Sequence, residues 1–404
     1  MTEVNGKIEC KLCGAQVHVM QKHLLDNHPE YTPASYQEEF PGAPMLSDLA
    51  KQKVAESNAA KAAAAAQQAQ NDAGQVHMAA SAAPAASVAS VVPRGTIVKK
   101  PLHEVFDLGA AKAALSAKGT PIPISVLTAH DHQDMVPEVS SIYVYDINEL
   151  KNVILGLECS IPVYVHGHKG TGKSELLAQV AARTNRPQIR VQHTANTEES
   201  HIVGQWTVKG GETVFALGPL AEAMKHGWIY CADEYDFGMP SVLAVYQPVL
   251  EGKALVIKEA PPELRIIKPH RDFRFVATGN TNGSGDETGL YQGTLIQNSA
   301  NYDRFGMVIH KKYMDKKAEV RILMGRCGLT EKDAEKMVEF ATTVREAYDG
   351  AKLSDTISPR TMIYASEIGV KRGSFREGLA LSFLNKLTTV DREVADGLAQ
   401  RIFS

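Results

Sequence analysis

Val163-Tyr-Val-His166 runs directly into Gly167-His-Lys-Gly170-Thr171-Gly172-Lys173-Ser174 and then into a helical stretch, Glu175 to Arg183. An apolar strand, a glycine-rich turn and an amphipathic helix are the setting in which a G-x4-G-K-S string cradles phosphate. Gly167, Gly170 and Gly172 let the backbone N–H groups around Thr171 converge on phosphate oxygens, and the helix N-terminus adds a dipole of favourable sign. Lys173 would neutralise the β- and γ-phosphates, and the Ser174 hydroxyl would ligate Mg²⁺. ATP and Mg²⁺ are therefore the expected ligands.

Such a loop needs an acidic partner on a neighbouring strand, and Trp228-Ile-Tyr-Cys-Ala-Asp233-Glu234 supplies two carboxylates after five apolar residues. Asp233 would hold the metal through its water shell, while Glu234 would orient or deprotonate the attacking water. Phe275-Val-Ala-Thr-Gly-Asn280 ends in an amide that can position the same water without adding charge. Strands are expected over 163–166, 189–192, 228–232 and 273–278, each ending in a polar or Gly-rich stretch. Alternation of such strands with helices gives an α/β domain with a largely parallel sheet, whose ligands gather at the carboxyl ends of the strands. Beyond about residue 313 strand patterns stop. Helices expected over 331–348, 359–370 and 375–387 form a C-terminal helical lid.

The rest of the composition bounds what else the chain can be. A length of 404 residues exceeds what one core organises, so two or three folded units are expected. Apolar residues at 44% and charged residues at 22% exclude wholesale disorder. A formal net charge of −3 excludes a chain-wide field for nucleic acid or anionic lipid. Five scattered cysteines do not make a disulfide framework. No apolar run reaches membrane-spanning length and no secretory pattern opens the chain, so the expected location is the cytoplasm.

Several strings are more specific than the phosphate loop. Gly218-Pro-Leu-Ala-Glu-Ala-Met-Lys-His-Gly-Trp-Ile-Tyr-Cys-Ala-Asp233-Glu-Tyr-Asp236, Ala277-Thr-Gly-Asn-Thr-Asn-Gly-Ser-Gly-Asp-Glu-Thr-Gly-Leu-Tyr-Gln-Gly293, Asp303-Arg-Phe305, Ser358-Pro-Arg-Thr361 and Phe383-Leu-Asn-Lys386 resemble the CobS ATPase family of aerobic cobaltochelatases, within the MoxR-like AAA+ ATPases. The resemblance runs from about residue 120 to the C-terminus. It implies an AAA+ P-loop αβα core with a helical C-terminal lid, assembled into a homo-oligomeric ring, a hexamer, with ATP between protomers. Arg304 then becomes an arginine finger for the neighbour's γ-phosphate, and Arg360 matches the sensor 2 position. The resemblance also implies β-hairpins near the pore, which fits Gly204 to Leu217 around Gly210-Gly211. It further implies remodelling of a protein client, a partner with a von Willebrand A-like domain, and Co²⁺ insertion into a corrin precursor. The 282–293 glycine-rich loop is assigned to partner contact or gating.

The N-terminus departs from that family. Cys10-x2-Cys13-x9-His23-x4-His28 suits a closed tetrahedral Zn²⁺ site of a C2H2-type zinc-finger-like module, with His18 as a substitute ligand. Residues 1–45 hold three basic residues against six acidic ones, so the finger is expected to dock protein rather than DNA. A finger that recruits the ATPase to nucleic acid, as in a phage or defence factor, is the alternative. His130 and His132 sit in a polar loop with no further ligands and are not read as a metal site. The expected division is a finger at 1–45, an Ala-rich helical or flexible linker at 46–100, an N-terminal extension of the core at 101–129, the ATPase core at 130–312 and the lid at 313–404.

Overall fold

The structure, a computed structural model, describes residues 7–18, 20–28, 31–45, 47–48, 95–109, 111–286 and 289–404. The helix and tether expected between 50 and 92 lie outside the described residues. The chain divides into two compact units, Met1–Ala89 and Ser90–Ser404.

The larger unit is organised by five parallel strands: β1 (Val163–His166), β2 (Gln188–Gln192), β3 (Ile229–Asp233), β4 (Arg274–Gly279) and β5 (Met307–His310). Their order is β5-β1-β4-β3-β2, so the strand that carries the glycine loop lies between β5 and β4. Successive side chains alternate between the two faces. Val163, Val165, Ile229, Cys231, Val276 and Ile309 face a core built with helices α1 (Ile147–Glu158) and α2 (Lys173–Arg183). Tyr164, Tyr230, Ala232, Phe275 and Ala277 face a second core with α3 (Pro219–His226). Both faces are covered, which is why β1, β3 and β4 read as near-continuous apolar runs rather than as alternation.

Four of these strands were expected from the sequence, within one residue at each end; β5 was not. The apolar run of β5, Met307 to Ile309, is only three residues long, too short to read as a strand. A further antiparallel pair, Ile97–Pro101 with Pro123–Leu127, packs Ile124 and Val126 into the α1 side of the core. The hairpin at Gly204 is present as Gly204–Lys209 paired with Glu212–Leu217. Gly210 (φ +62°) and Gly211 (φ +88°) both adopt the left-handed conformation that a two-residue turn of this hand requires.

The C-terminal part holds five helices: α4 (Lys316–Cys327), α5 (Glu331–Asp349), α6 (Pro359–Arg372), α7 (Phe375–Ser382) and α8 (Thr389–Phe403). Each starts on a side-chain cap, from Asp315, Thr330, Ser358, Ser374 and Thr388 respectively. Their core, around Met337, Phe340, Leu379 and Phe383, is separate from those of the sheet. The helix expected over 375–387 is interrupted: α7 stops at Ser382 and a short turn, Leu384–Lys386, follows. Among the described residues no helix is long and apolar enough to cross a membrane.

The smaller unit is a hairpin, Ile8–Glu9 with Gln16–Val17, followed by helices Met20–Asn27 and Pro33–Glu39. Ile8, Cys10, Met20, Leu24 and Tyr36 form its core.

A candidate nucleotide site at the carboxyl edge of the sheet

The loop from β1 to α2 is shaped by residues that a side chain would spoil. Gly170 (φ +73°) and Gly172 (φ +83°) are left-handed, and a methyl on Gly170 would stand 2.5 Å from Cβ of Ser358, the cap of lid helix α6. Thr171 Oγ1 donates to the His168 carbonyl at 2.8 Å, closing the turn. Lys173 Nζ turns back into the loop, donating to the carbonyls of Gly167 (2.7 Å) and His168 (3.2 Å) and to Asn280 Oδ1 (3.0 Å). Burial pulls its pKa down to about 8; Asp236, Asp233 and Glu234 oppose that shift and Arg360 adds to it.

At the end of β3, Asp233 is buried and fully engaged. Its Oδ1 accepts from Ser174 Oγ (2.6 Å) and Thr278 Oγ1 (2.5 Å), and its Oδ2 accepts from Arg190 Nε (2.9 Å) and Nη2. Burial works to raise the Asp233 pKa, but these hydrogen bonds and the Arg190 charge outweigh it and hold the carboxyl below its ordinary value. Glu234 follows with a left-handed backbone (φ +52°), and its Oε2 accepts from Gln192 Nε2 at 2.8 Å. Asn280 is set by Asp236, whose Oδ2 accepts the N–H groups of Asn280 and Thr281 at 2.8 Å each. Burial pushes the Asp236 carboxyl up, against those hydrogen bonds.

Lys173, Ser174, Asp233, Glu234, Asn280 and Arg360 thus line one cleft of about 290 Å³. A second cavity of about 310 Å³ shares Gly170, Gly172, Glu175 and Arg360 with it. This one has an apolar wall of Ile142, Tyr143, Val144, Met314, Ile322 and Ile363, with Ser140, Thr171 and Arg326 also lining it. Arg304 is not among the residues lining either cavity. Its Nε donates to Glu251 Oε1 at 2.7 Å.

Sequence reasoning missed Arg190, Gln192, Thr278 and Asp236. Arg190 and Gln192 are polar residues at the carboxyl end of β2, the one signal that could have found them. It also left Tyr291 without a contact. The Tyr291 hydroxyl accepts from the Lys169 N–H (3.0 Å) and lies 2.9 Å from His168 Nδ1, which seats the end of the 282–293 stretch on the phosphate loop.

In the smaller unit, the ligating atoms of Cys10, Cys13, His23 and His28 lie within 4.8 Å of one another, with Cys13 Sγ 3.1 Å from His23 Nε2. A tetrahedral Zn²⁺ with arms of about 2.1 to 2.3 Å spaces its donors by about 3.6 Å, so the set fits that ion. His18 is not in that group, and its Nδ1 is 2.9 Å from Ser47 Oγ. His130 lies 3.0 Å from the Asn185 carbonyl and the His132 ring packs on Trp228, and neither belongs to a potential ligand set among the described residues.

A family profile described as an AAA domain (dynein-related subfamily) matches residues 162–293, and one described as CbbQ/NirQ/NorQ C-terminal matches residues 319–403. The chain is 36% identical to the aerobic cobaltochelatase subunit CobS of Sinorhizobium sp. over 279 residues, covering 66% of this chain and 83% of that protein. It is 26% identical to protein NorQ of Paracoccus denitrificans, covering 59% and 84%. Among solved structures, the RuvB Holliday junction branch migration motor of Thermotoga maritima aligns at 14% identity over 66% of this chain and 72% of that one, with a TM-score of 0.38. With two family profiles in tandem and the greater part of a CobS subunit aligned along the same stretch, this chain belongs to the CobS family of MoxR-like AAA+ ATPases.

Proposed function

We propose that this chain is the ATP-hydrolysing subunit of a homo-oligomeric ring, a hexamer, that remodels a protein partner. The observation that carries the reading is the convergence of Lys173, Ser174, Asp233, Glu234 and Asn280 on a single cleft beside a chamber with an apolar wall. The chamber suits a purine, and the cleft suits a triphosphate. Lys173, together with the loop N–H groups of Gly170 to Ser174, binds the β- and γ-phosphates, displacing its own ties to the loop carbonyls. Bound Mg²⁺ would neutralise charge developing on those phosphates, and Ser174 and Asp233 would hold it. Glu234 takes a proton from the attacking water, and Asn280 orients that water from the other side. Arg360, on the lid, senses the phosphate and so couples hydrolysis to lid position.

Arg304 is turned away from its own cleft and paired with Glu251, as suits an arginine finger that serves a neighbouring protomer. The Cys10, Cys13, His23 and His28 set holds structural Zn²⁺, which would supply folding free energy to a module with a small core. The finger, a linker, the core and the lid divide the labour of recruitment, tethering, hydrolysis and motion. By kinship with CobS, the client is a cytoplasmic metal-insertion complex of the cobaltochelatase type, reached through a von Willebrand A-like partner. Glu234→Gln tests the reading. The variant should bind ATP, assemble into a ring measurable by light scattering, and retain its partner in an affinity capture. Undiminished hydrolysis would remove Glu234 from its role.

A further inference from the structure

The two oxygens of Asp233 keep different company. Oδ1 is taken by hydroxyls that belong to the phosphate loop and to β4, whereas Oδ2 is taken by a guanidinium from β2. The Asp233 side chain is 2% exposed and that of Arg190 is 57% exposed, so the cation reaches a walled-in carboxylate from the open side of the cleft. A surface ion pair contributes little, but a buried carboxylate stripped of its counter-charge is costly, so this contact is not an ordinary surface pair.

The strand geometry strengthens the point. In the β2–β3 register Gln192 pairs with Asp233 and Arg190 with Cys231. Residues 190 and 192 fall on one face of β2, since side chains two apart point the same way. One strand face therefore grips both carboxylates, Asp233 through Arg190 and Glu234 through Gln192. Because Ser174 and Thr278 already occupy Oδ1, a hydrated divalent cation held at Ser174 would have Oδ2 as the remaining acceptor for its water shell and would repel a guanidinium at that oxygen. Arg190 and such a cation are thus competitors for one atom.

We propose that Arg190 is a displaceable counter-ion: it neutralises Asp233 while the cleft lacks metal, and it yields that oxygen when Mg·ATP is bound. The inference rests on the nucleotide-site reading above and makes Arg190 a positioning residue that acts through Asp233. Metal-free nucleotide then meets a neutralised Asp233 in the native chain. Without Arg190 it meets a bare carboxylate.

Equilibrium binding of a fluorescent ATP analogue to the full chain, in EDTA and across a Mg²⁺ titration, tests this. Arg190→Gln should weaken binding in EDTA by about tenfold and lower the Mg²⁺ concentration for half-maximal tightening by about fivefold, because the competitor is gone. Arg190→Lys, which keeps the charge, should fall between the two. In an Asp233→Asn background, adding Arg190→Gln should leave the EDTA affinity within about twofold. A merely structural role would lower both affinities by one factor and leave their ratio unchanged, which overturns the proposal. Should Arg190→Gln not fold, the Arg190→Lys chain carries the comparison, and a Mg²⁺ midpoint equal to that of the native chain overturns it equally. A native chain that binds no analogue under either condition removes the nucleotide site itself. Normal binding with an Arg190-independent Mg²⁺ midpoint removes only this inference.

Discussion

Gln192 Nε2 donates to Glu234 Oε2 across 2.8 Å, tying the end of β2 to the residue just past β3. Glu234 has its backbone in the left-handed region, which costs a residue with a Cβ about 1–2 kcal/mol. Strain of this kind persists only where surrounding contacts hold it, and the Thr278 Oγ1 that accepts the Glu234 N–H at 3.2 Å is one such contact. The position of Glu234, the proposed general base, is therefore set by two neighbouring strands and not by its own turn.

Turnover should report that arrangement. Glu234→Gln lowers the hydrolysis rate by about 10²- to 10⁴-fold while nucleotide affinity stays within about threefold. Gln192→Leu frees the carboxylate from an exposed hydrogen bond worth about 1 kcal/mol, so basal hydrolysis rises by up to about fivefold. Steady-state phosphate release measures both. Equal rates for the native chain and Gln192→Leu would show that the amide restrains nothing.

The Lys173 pKa of about 8 gives the site a pH profile. The cationic form is the one that would bind phosphate, and in the nucleotide-free protein it is nearly complete a unit below pH 8, half present at about 8 and lost above it. Affinity for the fluorescent ATP analogue should be flat from pH 6.5 to about 7.5. It should then fall by up to about tenfold per unit above 8, until the pKa of the bound state is passed. A flat profile to pH 9.5 would remove Lys173 from charge recognition. Lys173→Ala should bind weakly at every pH.

How much of this was legible follows from distance along the chain. The phosphate loop is eight consecutive residues, and β3 and β4 are apolar runs, so the central strands and their polar ends could be read locally. Edge strand β5 could not, since an apolar run of three residues, Met307 to Ile309, is too short to read. Helix α4 hides for a related reason: its Lys316, Lys317, Arg321 and Arg326 interrupt the apolar stripe, and only the Asp315 cap marks its start. Arg190 and Asp233 lie 43 positions apart, and Asp236 and Asn280 lie 44 apart. Such pairings exist only once the strand order is known. The cysteine and histidine cluster was readable because metal ligation forces spacing on the sequence itself.

If that cluster holds the proposed Zn²⁺, the smaller unit depends on it. The purified chain should carry one Zn²⁺, measured by elemental analysis, and Cys13→Ser or His23→Ala should lose it. Its core is small, so chelation should unfold residues 7–48, seen as a gain in proteolysis there. Nucleotide binding by the larger unit should persist. A chain that holds no zinc yet resists proteolysis in this region would refute the metal assignment.

Lys311 supports the phosphate loop from beneath. Its side chain is 2% exposed, and its ammonium pairs with Glu149 of α1, itself 16% exposed. Its N–H donates to the His166 carbonyl at 2.7 Å, its own carbonyl lies 2.1 Å from where a Cβ on Gly167 would stand, and its Cε passes 3.8 Å from the same point on Gly172. Lys311→Met leaves Glu149 charged and partnerless, a loss of about 3–5 kcal/mol that lowers Tm by roughly 5–15 °C. Because the loop rests on that side chain, nucleotide affinity should fall with it. Replacing both partners, Lys311→Met with Glu149→Leu, removes the stranded charge and keeps the volume, so most of the lost stability should return. Nucleotide affinity in the double variant then separates two roles. If the methylenes alone hold the loop, affinity recovers with Tm; if the ion pair fixes the loop, Tm recovers and affinity does not. A Lys311→Met chain that melts with the native one would mean that the pair contributes to neither.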